Sequence, residues 1–514
     1  MGTTPVLSVD PRTGEPRGQV ATEADTEAVD AAVRAAADTL PALADPAART
    51  ALLRAAADAL ESAGDEVVAA ADAETALGPS RLTGELARTS HQLRAFADVV
   101  EEGAYLDVVI DHADPEAGPV PRPDLRRYKV PLGVVAVFSA SNFPLAFGVP
   151  GGDTASALAA GCPVVVKAHP DHPDTSERCA ALLRRAAGSV GLPPDVVRLV
   201  HGFRAGTDVI SHPLVAAAGF TGSIAGGRAL YDAAAARPRP IPFHGELGSL
   251  NPVVVTEAAA AERPEEIGTG LAGSFTLGAG QFCTKPGLVL APVGEPGDRL
   301  VAALTHATTG TPPAVLLDAR LREAFLRGVR RRAALPDVQA PVTPHGDGPF
   351  AVRAGFLTVP AERLTVPGPH HLLLEECFGP VTVVARYRDA AEVNAVLGRL
   401  PGNLTATVHL AAAEARQADG PAAALLAGLT ALVGRVVVNG WPTGVAVAPA
   451  QHHGGPYPAT TGTASSVGDT AIERWLRPVT YQDAPPALLP APLRDDNPLG
   501  LPRRVDGRLE LPGR

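Results

Sequence analysis

Of the four cysteines, at positions 162, 179, 283 and 377, only Cys283 has the surroundings of a working nucleophile. Its loop, GAGQFCTKPG, is glycine-rich enough to expose a thiol, and a thiolate is the side-chain group best suited to add to a carbonyl carbon. Cys162 and Cys179 fall in a strand approach and on a helix, where free cysteine is ordinarily inert packing, and Cys377 is read as packing too. Addition to a carbonyl needs donors for the oxygen that becomes negative. The side-chain amide of Asn142 in SNFP, with the backbone N–H of Cys283, would supply them. Alone, Asn142 serves equally well as a turn cap; with Cys283 in the same chain the oxyanion role is preferred. A thioester left on Cys283 must be hydrolysed, which calls for a carboxylate of raised pKa to activate water. Glu246 in HGELG, set among glycines and apolar residues at an expected strand end, is the choice. No CxxC pair is present, so neither a disulfide framework nor a structural zinc site is expected. The pair in His169–Pro170–Asp171–His172 is read as plain surface residues, not a metal site.

These residues need a scaffold. From residue 21 to about 105 apolar positions recur at i, i+3, i+4 and i+7, predicting packed amphipathic helices. From Gly133 short β-rich runs (GVVAVFS, PVVVKA, DVVRLVHG, AAAGFTGS) alternate with helices, the pattern of a parallel, doubly wound sheet that binds nucleotides at its carboxyl edge. A second set of such units follows Pro240. The Pro-rich stretch 107–131 reads as an exposed hairpin or arm, and the tail from Tyr481 as an extended segment lying over a surface. The fold class is therefore α/β, with two doubly wound α/β domains and a small β arm. The expected division is a cofactor-binding domain at 1–106 and 131–245, a catalytic domain at 246–476, and arm and tail at 107–130 and 477–514.

The chain has 514 residues, 46% of them hydrophobic, and a net charge of −11. Its 52 glycines and 51 prolines exceed ordinary usage, but that hydrophobic fraction excludes a disordered or collagen-like chain. An acidic balance without a basic run gives nucleic acid and anionic membranes nothing to hold. Small molecules and protein subunits are the expected partners, and the cytoplasm the expected compartment. Only three lysines, Lys129, Lys167 and Lys285, stand against 41 arginines, so each surviving lysine is a candidate for work a guanidinium cannot do.

SNFP at 141–144, FTGSIAGG at 220–227, HGELG at 244–248, GQFCTKPG at 280–287, EECFGPV at 375–381 and NGWPTGV at 439–445 together resemble the aldehyde dehydrogenase superfamily, over nearly the whole chain. HHGGPYPATT and IERWLRPVTYQDAPPALLP are similar to the α-ketoglutaric semialdehyde (2,5-dioxopentanoate) dehydrogenase branch. The resemblance implies oxidation of an aldehyde through a Cys283 thiohemiacetal and thioester, with NAD or NADP. It implies Lys167 at the adenosine ribose, Glu376 at the nicotinamide ribose and Phe378 beside the nicotinamide. It also implies a homodimer or homotetramer built through arm and tail. A broad-specificity or fatty-aldehyde enzyme of the same branch, and a catalytically silent member, stay open. A coenzyme-A-acylating enzyme needs no water-activating base, so Glu246 speaks against it.

No GxGxxG occurs. Gly222, Ser223 and Gly227, in a strand-to-helix turn, offer a helix N-terminus to a pyrophosphate instead. NAD-preferring relatives carry a Glu three residues after the ribose lysine, where this chain has Pro170; without that carboxylate, and with Arg204 on the next connection, NADP is expected to be preferred.

Overall fold

The computed structural model describes residues 4–511. Four helices, Thr26–Ala37, Pro46–Ser62, Gly64–Thr75 and Pro79–Glu102, occupy the predicted helical stretch. Asp25 and Asp45 cap the first two by accepting from the amides of Ala28 and Ala47, satisfying donors that a helix start leaves open. Gly103, at φ 74°, closes the long fourth helix in the left-handed conformation that glycine adopts without cost.

The first sheet has five parallel strands in the order Val197–Val200, Val164–Lys167, Val134–Phe138, Val215–Thr221, Phe243–Glu246. The chain starts in the middle, winds out to one edge through helices, then returns and winds out to the other. Strand side chains alternate faces, and that alternation sorts the core. Val135, Val137, Val164 and Val166 pack against Leu52, Leu53, Leu93 and Phe96, while Val134, Ala136 and Val165 pack against Val29, Val33, Val209 and Ile210. Both faces are covered, so the strands read as unbroken apolar runs.

The second sheet has seven strands, ordered Gln339–Val342, Gly355–Pro360, Val381–Tyr387, Leu288–Pro292, Pro252–Val255, Asn403–His409, Val433–Val438, all parallel except the first. A small three-stranded sheet within 314–353 has no counterpart in the sequence reading.

The arm is a hairpin, Val108–Asp111 against Leu125–Pro131, inside a five-stranded sheet completed by Leu476–Gln482, Arg503–Val505 and Arg508–Glu510. The tail does not simply lie extended over a surface. Leu489, Leu493 and Leu501 are buried with Val108 and Ile110, because a two-stranded hairpin alone cannot bury an apolar face. Residues just before the tail also return to the first sheet: Trp475, fully buried, sits in its core and donates from Nε1 to Ser156 Oγ at 2.8 Å. Beside it Arg474 and Asp153 form a buried ion pair at 2.7 Å. None of the described helices is long and apolar enough to cross a membrane.

Candidate active site

Two sheet edges face each other across the site. The first sheet offers the carboxyl ends of its strands: Val134–Phe138 runs on to Asn142, Val164–Lys167 stops at Lys167, Val215–Thr221 enters the Gly222–Gly227 turn, and Phe243–Glu246 stops at Glu246. The second sheet offers amino ends. The Cys283 loop precedes Leu288–Pro292, and Glu376 and Phe378 precede Val381–Tyr387.

Cys283 Sγ lies 3.5 Å from His453 Nε2, and that same nitrogen is 3.0 Å from Glu246 Oε1. Ser466 Oγ donates its one hydrogen to Glu246 Oε2 at 2.6 Å and lies 3.2 Å from the His453 carbonyl. His453 is further fixed by Ser465 Oγ, which accepts from its backbone amide at 2.9 Å. Glu246 and His453 are both buried. The expected raised pKa of Glu246 is not what the surroundings give. Burial pushes the carboxyl up, but His453, Ser466 and Cys283 together outweigh it and hold it below its usual value. Cys283 goes the other way: burial, then the adjacent Glu246 charge, keeps its thiol well above the ordinary range. The resting thiol is therefore protonated beside an ionised carboxylate. A ring nitrogen holds at most one proton, so when Nε2 donates to Glu246 it cannot accept from the thiol, and Glu246 is left as the acceptor of the thiol proton.

Asn142 is buried and directed at the Cys283 loop, where its Nδ2 donates to the Gln281 carbonyl at 2.9 Å. That bond uses one of the two amide hydrogens. The backbone N–H of Cys283 has no partner among the described residues. The Cys283 carbonyl is held by Asn251 Nδ2 at 2.7 Å, which also reaches the Lys285 carbonyl at 3.0 Å. Lys285 is buried, and its Nζ donates to the carbonyls of Cys377, at 3.1 Å, and Val381, at 2.7 Å, tying the Glu376 loop to the nucleophile loop. At Gly280, φ 66°, any Cβ would collide with Gly379, so glycine is required for the two loops to meet. Cys162 and Cys179 are buried, with thiols pushed by burial up to about 11 and about 12. Cys377 packs beside Phe325 and Val329. All three behave as the inert residues expected of them.

On the cofactor side, Ser223 caps the helix Ile224–Ala235, accepting from Gly226 N at 3.2 Å. Gly222 and Ser223 are exposed, whereas Gly227 is buried where a Cβ would strike Leu247. Lys167 is buried with its Nζ 4.9 Å from the centre of the exposed Phe203 ring, and burial brings its pKa down to about 8. Glu376 is pushed up to about 7 by burial, partly opposed by Lys285. Gly248 makes room for it, since a Cβ there would stand 2.7 Å from Oε2. Phe378 is half-buried two residues on. A helix start with first-turn amides still open beyond the Ser223 cap, a buried lysine with no hydrogen-bond acceptor among the described residues and a half-buried carboxyl fit the phosphates and ribose hydroxyls of a dinucleotide.

Three sequence expectations change at this corner. Arg204 is exposed on the first turn of the helix Phe203–Ser211 and reaches Thr26 Oγ1, at 3.4 Å, and Asp208, at 3.8 Å. The arginine whose charge acts on Lys167 is Arg320, which lies 6.0 Å from the Phe203 ring. Carboxylates are also present after all: Glu23 and Asp171 both act on Lys167, Asp171 because the turn at Pro170 carries the next residue inward. Burial, with Asp318 nearby, pushes Asp171 up to about 7, and Arg320 stands 3.5 Å from it. Finally, His169 and His172 are not surface residues. They stack at 5.6 Å, and His172, fully buried, bonds the Ala140 carbonyl through Nε2 at 2.8 Å, bracing the turn that carries Asn142.

Comparison with known proteins decides the family. Residues 2–480 match the model of the aldehyde dehydrogenase family. The chain belongs to that family. It is 48% identical, over 87% of its length and 85% of the relative's, to alpha-ketoglutaric semialdehyde dehydrogenase 2 of Azospirillum brasilense. It is 42% identical, over 87% and 84%, to alpha-ketoglutaric semialdehyde dehydrogenase of Acinetobacter baylyi. Among solved structures, a Pseudomonas syringae aldehyde dehydrogenase mutant with NAD+ and octanal superposes with a TM-score of 0.78, covering 94% of this chain and 95% of that one at 20% identity. This aldehyde dehydrogenase is an oxidoreductase that uses NAD or NADP. Sequence reasoning missed His453 and Ser466, and it flagged Lys285 only by the scarcity of lysine, without a role; HHGG was visible as a motif, but nothing in it pointed to Cys283.

Proposed function

We propose that this enzyme oxidises 2,5-dioxopentanoate (α-ketoglutarate semialdehyde), a short ω-oxo acid, to 2-oxoglutarate. The chemistry rests on one observation, the contact chain from half-buried Cys283 through His453 to buried Glu246. The substrate rests on full-length likeness to two enzymes named for that semialdehyde.

In this reading Glu246 takes the thiol proton and the Cys283 thiolate adds to the aldehyde carbon. The free amide hydrogen of Asn142 and the N–H of Cys283 stabilise the oxygen as it becomes negative. When bound, the dinucleotide supplies the hydride acceptor; Lys167, the Gly222–Gly227 turn, Glu376 and Phe378 would hold it. Once Glu246 has passed the thiol proton to solvent it draws a proton from the water that attacks the thioester, and the C–S bond breaks to release the acid and leave the Cys283 thiolate. His453 Nε2 orients Glu246 between the two tasks, and Ser466 holds the other carboxylate oxygen.

We further propose a preference for NADP. Pro170 stands where NAD-preferring relatives carry a Glu, and burial pushes Asp171 up to about 7, so Lys167 and Arg320 face that corner with its charge reduced, although Glu23 and Asp318 also lie there. The free sheet edges Val433–Val438 and Leu476–Gln482 suit strand pairing between copies, in a homodimer or homotetramer. Four free thiols suit the reducing cytoplasm.

The deciding experiment is turnover of a panel of C4 to C10 aldehydes, with and without a terminal carboxylate, using both cofactors. A maximum at the five-carbon oxo acid supports the substrate; a maximum at uncharged long chains rejects it. Glu246→Gln should retain a pre-steady-state burst only if some other group accepts the thiol proton. Loss of the burst together with the steady state is the expected result.

A further inference from the structure

The long helix Pro79–Glu102 places Arg81, Glu85 and Arg88 on one face, at i, i+4 and i+7, and all three are drawn in against the active-site cleft. Glu85 is buried, its Oε1 accepting from the amides of Leu145, at 2.9 Å, and Ala146, at 3.0 Å. Arg81 is committed: Nη2 donates to the Asn142 carbonyl at 2.6 Å, and the guanidinium is 4.9 Å from the Phe143 ring centre and 4.8 Å from that of Phe282. A third arginine of the site, Arg435, is also committed, with Nη1 and Nη2 on the carbonyls of Gly444 and Pro442 at 3.0 and 2.6 Å.

Arg88 differs. Among the described residues it makes no hydrogen bond at all, whereas Arg81 and Arg435, which also have buried nitrogens without partners, each donate elsewhere; Arg88 Nη1 is buried without a partner, and its guanidinium lies 5.4 Å from the centre of the Phe147 ring. That ring is 6.3 Å from His453, whose Nε2 touches Cys283 Sγ. The helix face thus carries two cations against one carboxylate, and Arg88, which feels the charges of Glu85 and Glu246 but hydrogen-bonds to neither, stands one aromatic ring away from His453. A buried guanidinium without an acceptor is costly unless an anion completes it, and its planar fork matches a carboxylate.

We propose that Arg88 binds the distal carboxylate of the aldehyde substrate and so selects ω-oxo acids. The inference rests on the substrate reading above and supplies the carboxylate-binding residue it requires. The aldehyde carbon must sit at Cys283 while the carboxylate sits beyond Phe147. Glyoxylate, with its two carbons one bond or about 1.5 Å apart, is too short to reach both.

The test compares kcat/KM for 2,5-dioxopentanoate and for pentanal in wild type, Arg88→Gln and Arg88→Lys, with glutarate as a competitive inhibitor. Arg88→Gln should lower the oxo-acid value by about 10- to 150-fold, the range of a charge-assisted hydrogen bond. It should leave pentanal within about threefold and abolish inhibition by glutarate; Arg88→Lys should recover part of each. Equal losses on both aldehydes would overturn the proposal, showing that Arg88 acts on Cys283 or on folding. So would an unchanged oxo-acid value. If wild type favours pentanal while glutarate still competes in an Arg88-dependent way, the carboxylate site stands and the substrate reading falls. Should Arg88→Gln fail to fold, Arg88→Lys decides alone, since a lysine that lowers both aldehydes equally also overturns the proposal.

Discussion

The two sheets that meet at the active site are built by the same rule and used in opposite directions. The first presents carboxyl strand ends, the usual place for ligands in an open parallel sheet, and its side chains there, Lys167 and the Gly222–Gly227 turn, suit binding. The second presents amino ends, and its loops carry Cys283 and Glu376, braced by Lys285, Asn251 and the Gly280–Gly379 approach. The division is not complete, since Glu246 and Asn142 reach the reacting centre from the first sheet and Glu376 lies on the second, but the binding groups are spread out and partly exposed. The reacting groups are locked against one another in a cluster of half-buried Cys283 with buried His453 and Glu246. A nucleotide spanning many ångströms tolerates adjustment of any one contact, whereas a proton transfer does not tolerate a displaced partner.

The sharpest way to break that contrast is Cys283→Ala. Steady-state oxidation should fall by at least about 10⁴-fold, while cofactor affinity, read by fluorescence titration, stays within about twofold of wild type. Parallel loss of both would show that the edges are not separable. Next in size, Asn142→Ala should cost about 10²- to 10³-fold in kcat with little change in KM for the aldehyde; a change confined to KM would make Asn142 a binding residue.

On the binding edge effects should be smaller and selective. Arg320→Ala should lower kcat/KM for NADP by about 10- to 150-fold and spare NAD, whereas Arg204→Ala, whose side chain turns to Thr26 and Asp208, should leave both within about twofold. Equal losses with both cofactors would assign these arginines to structure. The smallest effect is a displacement of the pH profile. Glu246 is ionised above its lowered pKa, so activity is held down to unusually low pH and is lost as the carboxyl protonates. Ser466→Ala removes one of the contacts that lower it, so the acid limb of kcat should move to higher pH. Movement to lower pH, or none, would mean that another group sets that limb.

Much of this was legible in the residues. The strands of the first sheet are apolar runs because both faces are covered, and Cys283, Glu246 and Asn142 lie in short motifs at strand ends, where local pattern and position coincide. What was hidden depends on contacts across long stretches of chain. His453 reaches Cys283 from 170 positions away, and no periodicity carries that information. The direction of the Glu246 shift depends on His453 and Ser466, so a reading from burial alone gave the opposite sign. Arg320 reaches Phe203 from a distant helix, whereas Arg204, close in sequence, faces Thr26. The burial of His172 followed from the fold around it and not from its Pro-rich neighbours.

The return of Trp475 to the first sheet bears on synthesis. Residues 134–246 contain every strand of that sheet, and a chain emerging from the ribosome ordinarily folds such a unit early. Here the indole that fills its core, and Arg474 that neutralises buried Asp153, are made more than two hundred residues later. Until then the nascent sheet carries an unfilled hole beside an unpaired buried carboxylate. The first sheet thus waits for nearly the whole polypeptide, and an interrupted translation product is left with an incomplete core, the kind of state that chaperones and proteases engage.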